Sequence, residues 1–162
     1  MSGYAIAEYI RLSNEDGDLK KSGKLESNSI INQRDLLNDY ISRQPDLAGA
    51  RVVEFCDDGW SGKNFDRPGV KKLLQQVREG KIQCIIVKDL SRFGRDYLMV
   101  GNYISCVFPF LGVRFIAVND EFDSIRPMDI DSLETSFKAL LYDIYSRDLS
   151  KKVRSGKKSK AE

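Results

Sequence analysis

Apolar residues fall in short blocks along this chain, and the blocks alternate between the continuous pattern of buried strands and the spacing of helices. Residues 4–10 (YAIAEYI) are almost wholly apolar and aromatic, as a buried strand is. Residues 13–27 are polar and contain glycine, which predicts a loop. Across residues 29–44, Ile30, Ile31, Leu36, Leu37, Tyr40 and Ile41 recur at roughly helical spacing, with Ser27 or Ser29 available as N-cap and Pro45 marking the end. Residues 51–56 read as a second strand and 57–67 as a loop rich in Gly and Asp. Pro68 suits a first helical position, opening a helix to about Glu79 that Gly80 stops. Residues 82–88 (IQCIIVK) form a third strand of the kind buried on both faces. A polar turn over 89–95, a helix over about 96–108, a fourth strand over 113–118 and an acidic loop reaching Met128 follow. From Asp131 a helical pattern runs nearly to the end.

Strands alternating with helices predict an α/β domain with a mainly parallel central sheet, flanking helices and a long C-terminal helix. No internal repeat interrupts the order. The last helix carries an apolar stripe of Leu133, Phe137, Leu140, Leu141 and Ile144, which gives way after Leu149 to Lys151, Lys152, Arg154, Lys157 and Lys158. Helical from 131 to 160, it is about 45 Å long at 1.5 Å per residue, more than a domain of this size covers. It is either a core helix with a frayed tail or a helix that packs on a partner and reaches outward.

The 162 residues suit one domain with a real core, and no long apolar run predicts a membrane span. The opening residues lack the pattern of a signal peptide, so the cytoplasm is the expected compartment. Cys56, Cys84 and Cys106 sit among apolar neighbours and read as reduced core residues without a metal or redox role. The chain holds no histidine, which excludes within it Ser-His-Asp hydrolysis, His-dependent zinc sites and His-dependent nucleases. The net charge of +2 hides an asymmetry: residues 147–162 hold seven basic and two acidic residues, and the remainder is mildly acidic. A basic terminal segment points to a polyanionic partner or to a merely solvated tail.

The polar clusters that could do chemistry each follow a strand: YIRLS the first, DDGWSG the second and DLSRFGRD the third. In open α/β sheets, sites assemble at the carboxyl ends of the strands. Three loops therefore bring Arg11, Ser13, Asp58, Ser61, Arg92 and Arg95 toward one edge. Arg11 and Ser13, two apart on an extended strand, can share a face. Arg92 and Arg95, three apart at a helix entry, are expected side by side. A single arginine is most often a surface ion pair. A serine ringed by three arginines, with no histidine, suits attack on a phosphodiester, because the guanidinium fork matches phosphate oxygens and the developing charge.

Taken in order, YIRLS, SNSIINQR, DDGWSGKNFDRPG and VKDLSRFGRD closely resemble the serine recombinase (resolvase/invertase) family over nearly the whole chain, and most of all its large, transposon-type members. The resemblance implies a resolvase-like catalytic domain over residues 1–130 and, over 131–162, a long helix for dimerisation and DNA contact within the same structural unit. It matches Ser13 to the nucleophile, Arg11 to the arginine before it and Gln33 to a glutamine on the first helix. Asp58, Ser61 and Arg67 match polar residues of the second loop, and Arg92 and Arg95 the paired arginines. Arg147 matches an arginine of the long helix near DNA, with Lys151, Lys152 and Arg154 beyond it. Ser91 stands where many small resolvases have an aspartate, a departure that Asp89 or Asp58 could make good.

The implied chemistry is attack of Ser13 on the scissile phosphate to give a 5′-phosphoserine bond and a 3′-hydroxyl, then strand exchange in a tetramer built from homodimers and religation. This integrates or excises a mobile element in double-stranded DNA, with no metal or other cofactor and no membrane. No zinc cluster or helix-turn-helix follows the long helix, so the domains that read sequence are expected outside this fragment. Two other readings compete. A recombinase-like regulatory or assembly module would not cut DNA, and the intact Ser13 and arginine set opposes it. A response-regulator-like domain would need acids at the end of the first strand, where this chain has Arg11, Leu12 and Ser13.

Overall fold

A computed structural model describes residues 3–12, 28–58 and 65–161, with side chains described as far as residue 153. Five strands form one sheet: β1 (Ala5–Leu12), β2 (Arg51–Asp58), β3 (Cys84–Val87), β4 (Arg114–Ala117) and β5 (Phe122–Asp123). Their order is β2-β1-β3-β4-β5, with β5 alone antiparallel. The helices are α1 (Asn28–Arg43), α2 (Pro68–Arg78), α3 (Leu90–Phe93), α4 (Tyr97–Asn102), α5 (Phe108–Phe110) and α6 (Pro127–Ala161), and a π-helical segment over Tyr103–Val107 joins α4 to α5.

The two faces of the sheet are covered unequally. Ile6, Ile10 and Leu12 of β1, with Cys84, Ile86 and Ile116, pack against Ile30, Leu37 and Ile41 of α1. The opposite face joins Ala5, Ala7 and Tyr9 to Val70, Leu73, Leu74 and Val77 of α2 and to Phe93, Ile104 and Phe108. β1 is buried throughout, as its unbroken apolar run requires. β2 lies at the sheet edge and alternates, with Phe55 and Asp57 buried and Val52, Glu54, Cys56 and Asp58 exposed.

Several sequence expectations are corrected. Cys84 is buried, but Cys56 and Cys106 are exposed: Cys56 lies on the outer phase of an edge strand, on the face that α1 covers only over the central strands. The expected polar turn after β3 contains α3, because the Asp89 carboxylate caps it by accepting from the Arg92 amide. The helix after it is not uniform. Pro109 has no N–H for the carbonyl four residues earlier, and the ladder widens into the π segment ahead of it. The acidic loop holds β5, and α6 begins at Pro127, four residues before Asp131. Pro fits that first turn because its missing N–H would have no intrahelical partner.

The root of α6 is fixed to the sheet. Asp129 accepts from the Asp123 amide and from Arg126, while Arg114 binds both oxygens of Asp123 and reaches Asp46. Phe137 lies where a Cβ on Gly101 would sit, 1.8 Å from its ring, so only glycine permits this approach of α6 to α4. Beyond Leu140, residues 141–153 are all exposed. Among the described residues no helix is long and apolar enough to cross a membrane.

Candidate active site

The sheet order reverses direction at β1: the chain passes from β1 outward to β2, then returns across β1 to β3. At such a switch point the connections leave on opposite faces and open a crevice at the carboxyl ends of the strands. Arg11, the next-to-last residue of β1, stands at this crevice, and α3 follows β3 across it.

Arg11 is almost completely buried. Its Nε donates to the Arg92 carbonyl at 3.2 Å and its Nη2 to the Ser91 carbonyl at 3.0 Å. Arg92 answers with Nη1 donating to the Arg11 carbonyl at 3.1 Å. Arg67, wholly buried, donates to the Phe93 carbonyl at 2.6 Å and to the Tyr9 hydroxyl at 2.7 Å, with its guanidinium over the Tyr9 and Phe65 rings. The three last carbonyls of α3 would have no partner within so short a helix, and two buried arginines bind them. Its amino end is held by Asp89 at the Arg92 amide and by Asp120 at the Leu90 amide, 2.7 Å away.

The cationic crowding bears on Arg11. Burial lowers its pKa below the ordinary guanidinium value, and the neighbouring charges of Arg67, Arg95 and Arg92 lower it further. Arg95 therefore lies within electrostatic reach of Arg11, although it does not share a helix with Arg92. Gly94 is extended and ends α3 between them, leaving Arg92 half-buried and Arg95 exposed.

Gln33 reaches the same strand end from α1, its Nε2 donating to the Arg11 carbonyl at 3.3 Å and to Ser29 Oγ. Ser13 and Ser61 lie outside the described residues. Asp58 is exposed, in register with Leu12 and so on the α1 face of the sheet. Its neighbour Asp57 is the buried acid, pairing in register with Arg11. Asp57 accepts from the Tyr9 hydroxyl at 2.7 Å and from the Gly69 and Val70 amides at the start of α2. Sequence reasoning missed Asp57 and Tyr9. Their signal was phase, since Tyr9 and Arg11 alternate with the residues facing α1, and Asp57 shares their face. Burial, with the hydrogen bond to Asp57 and the Asp57 charge, holds the Tyr9 phenol pKa well above its ordinary value, against the opposing pull of the Arg67 guanidinium.

On α6, Arg147 is exposed and pairs with Asp143 at 3.0 Å along the helix. Lys151 and Lys152 are exposed, and the side chain of Arg154 lies outside the described ones. Among the described residues no group of three or more potential ligands is arranged to hold a metal ion.

The fold and site together define the class, an open, mainly parallel α/β domain with an arginine cluster at its switch point. Within that class the family is specific: a model of the resolvase N-terminal domain matches residues 6–162, and the chain belongs to that family of serine recombinase catalytic domains. Among solved structures it is similar to the N-terminal catalytic domain of TP901-1 integrase, at 24% identity over 90% of this chain and 98% of that one, with a TM-score of 0.67. It is similar also to a resolvase family site-specific recombinase from Streptococcus pneumoniae, at 21% identity over 95% and 99%, with a TM-score of 0.71. A third likeness is to the C-terminal catalytic domain of ISC1926 TnpA, an IS607-like serine recombinase, at 26% identity over 98% and 99%, with a TM-score of 0.53. Comparison with curated proteins finds no match.

Proposed function

We propose that this chain cuts and rejoins double-stranded DNA through Ser13, as the catalytic domain of a site-specific recombinase that integrates or excises a mobile element. The observation that carries this reading is the gathering of Arg11, Arg67, Arg92 and Arg95 about the carboxyl end of β1, the strand that leads directly to Ser13. The Ser13 oxygen attacks phosphorus, the bond to the 3′ oxygen breaks, and the serine proton in effect passes to that oxygen, which leaves as the 3′-hydroxyl. The product is a 5′-phosphoserine ester, which conserves the bond energy for rejoining by the reverse step.

Arg92 and Arg95 stabilise charge on the phosphoryl oxygens. Arg11 and Arg67 act from beneath, holding α3 by its carbonyls, and Gln33 holds the strand end. Asp58 and Ser61 are assigned to the same reaction by their motif alone. Residues 1–130 form the catalytic unit. Residues 131–162 pair with a second copy through the exposed Leu141, Ile144 and Tyr145, and meet DNA through Arg147, Lys151, Lys152 and Arg154; two dimers make the tetramer in which strands exchange. The reaction takes place in the cytoplasm with its DNA, and sequence-reading domains act beside this one.

Ser13→Ala tests the reading. With the chain joined to its sequence-reading domains in the full-length protein, and a nicked suicide duplex that this protein selects from a random-sequence pool, the wild type forms a covalent adduct, and mass spectrometry locates it on Ser13. The Ala variant forms none while its thermal unfolding is unchanged. A Ser13→Ala protein that still cleaves removes the mechanism. A wild type that binds the duplex without cleaving it supports the non-catalytic module instead.

A further inference from the structure

The carboxylate of Asp89 does more than cap a helix. Its Oδ1 accepts from the Arg92 amide at 3.0 Å, as a cap does, and from Ser91 Oγ at 2.5 Å, which a cap does not require. That grip turns the second oxygen toward the side chain of Arg92, with Oδ2 at 4.0 Å from Nε. The Arg92 guanidinium is thus set from two sides, by the Asp89 charge and by the Arg11 carbonyl that receives its Nη1. Both side chains of this pair are only partly exposed, at 19% for Arg92 and 25% for Asp89, so water screens their attraction incompletely.

We propose that Asp89 is a positioning residue of the cleavage reaction: held by Ser91, its charge aims the Arg92 guanidinium at the reacting phosphate. The proposal rests on the reading of the site given above. Asp89 touches neither the phosphate nor the nucleophile in this scheme. It acts through Arg92, and Ser91 acts through Asp89. A negative charge behind Arg92 also keeps the arginine from moving wholly onto the phosphate in the ground state, so its removal should not weaken DNA binding.

Asparagine at position 89 separates the two roles. It is as good a helix cap as aspartate, so the amide of Arg92 keeps its partner and stability is retained. It lacks the charge that faces Arg92. With the same suicide duplex, single-turnover adduct formation by Asp89→Asn is expected to slow by roughly ten- to hundredfold, the scale of a misaimed catalytic group. The dissociation constant for the duplex and the thermal midpoint should stay at wild-type values. Ser91→Ala leaves the cap in place and frees the carboxylate to turn, and is expected to lose rate in the same step by a smaller factor.

Asp89→Asn with a wild-type adduct rate shows that a cap is all the site needs, and overturns the proposal. A rate loss matched by an equal loss of duplex affinity also overturns it, since aim would then not be the defect. Should Asp89→Asn fold poorly, Ser91→Ala decides alone, by the same split between rate and affinity. Failure of the wild type to form any Ser13 adduct is a different result: it removes the cleavage reading itself, and the role of Asp89 with it.

Discussion

Burial gives the ionisable residues of this domain unlike tasks. Arg67 is the extreme case: a wholly buried cation whose donors meet Tyr9 and Phe93 and whose face lies on two rings. Lysine there would keep the charge and lose the fork. Glu8 is the opposite case. It faces the α1 side of β1, almost fully buried, with Oε1 lacking a hydrogen-bond partner among the described residues. Burial, and then the Glu54 charge beside it in register, raise its pKa to about 7, against a smaller opposing pull from Arg34. The folded state therefore holds this proton more tightly than the unfolded chain does. Stability from this group is full below the ordinary carboxylate value near 4.5 and falls as pH rises through about 7. Glu8→Gln should remove that slope and stabilise the protein above pH 7 by up to about 3 kcal/mol. Urea unfolding at several pH values measures it; parallel slopes for variant and wild type would show that Glu8 is not the group responsible.

At the level of elements, the strand and helix order was legible because each block kept one period, and the edge at which Arg11 and Arg92 meet followed from it. The helices α1 and α2 begin within a residue of the positions their N-terminal signals suggest. What was not legible depended on partners distant in sequence. No local pattern shows that Arg11 and Arg67 bind the carbonyls of α3, or that Asp57 rather than Asp58 turns inward; the sheet register decides both. Nor does sequence spacing show that Gly94 separates Arg92 from Arg95. β5 is two residues long and is held by Arg114 and by Ser124 Oγ at the Phe115 amide, contacts without a sequence period. The junction of α4 and α6 offers a test of such a long-range contact. Gly101→Ala places a methyl into the Phe137 ring and should destabilise the domain by about 1–3 kcal/mol. In a Phe137→Ala background the same change should stabilise it by about 0.5–1 kcal/mol, because alanine is the better helix former. A double-mutant cycle without that reversal of sign would show that the two residues do not constrain each other.

The whole molecule divides its charge and its apolar surface along α6. Leu141, Tyr142, Ile144 and Tyr145 are exposed together, followed by the basic residues. Replacing Lys151, Lys152 and Arg154 by Ala should weaken binding to every DNA sequence and flatten the salt dependence of affinity by up to about three units, with self-association unchanged. Ile144→Asp should act in reverse, weakening association first. Sedimentation and a salt titration distinguish these outcomes, and an unchanged salt slope in the triple variant would leave the tail as solvated surface. The contacts that hold α6 to the body end near Leu140, so the helix is a cantilever clamped over residues 127–140. The free part, residues 141–161, is roughly 30 Å long at 1.5 Å per residue. A tilt of roughly 10° at the clamp moves its tip by about 5 Å, so a side chain the size of Phe137 against Gly101 sets the aim of a basic tip far from the body.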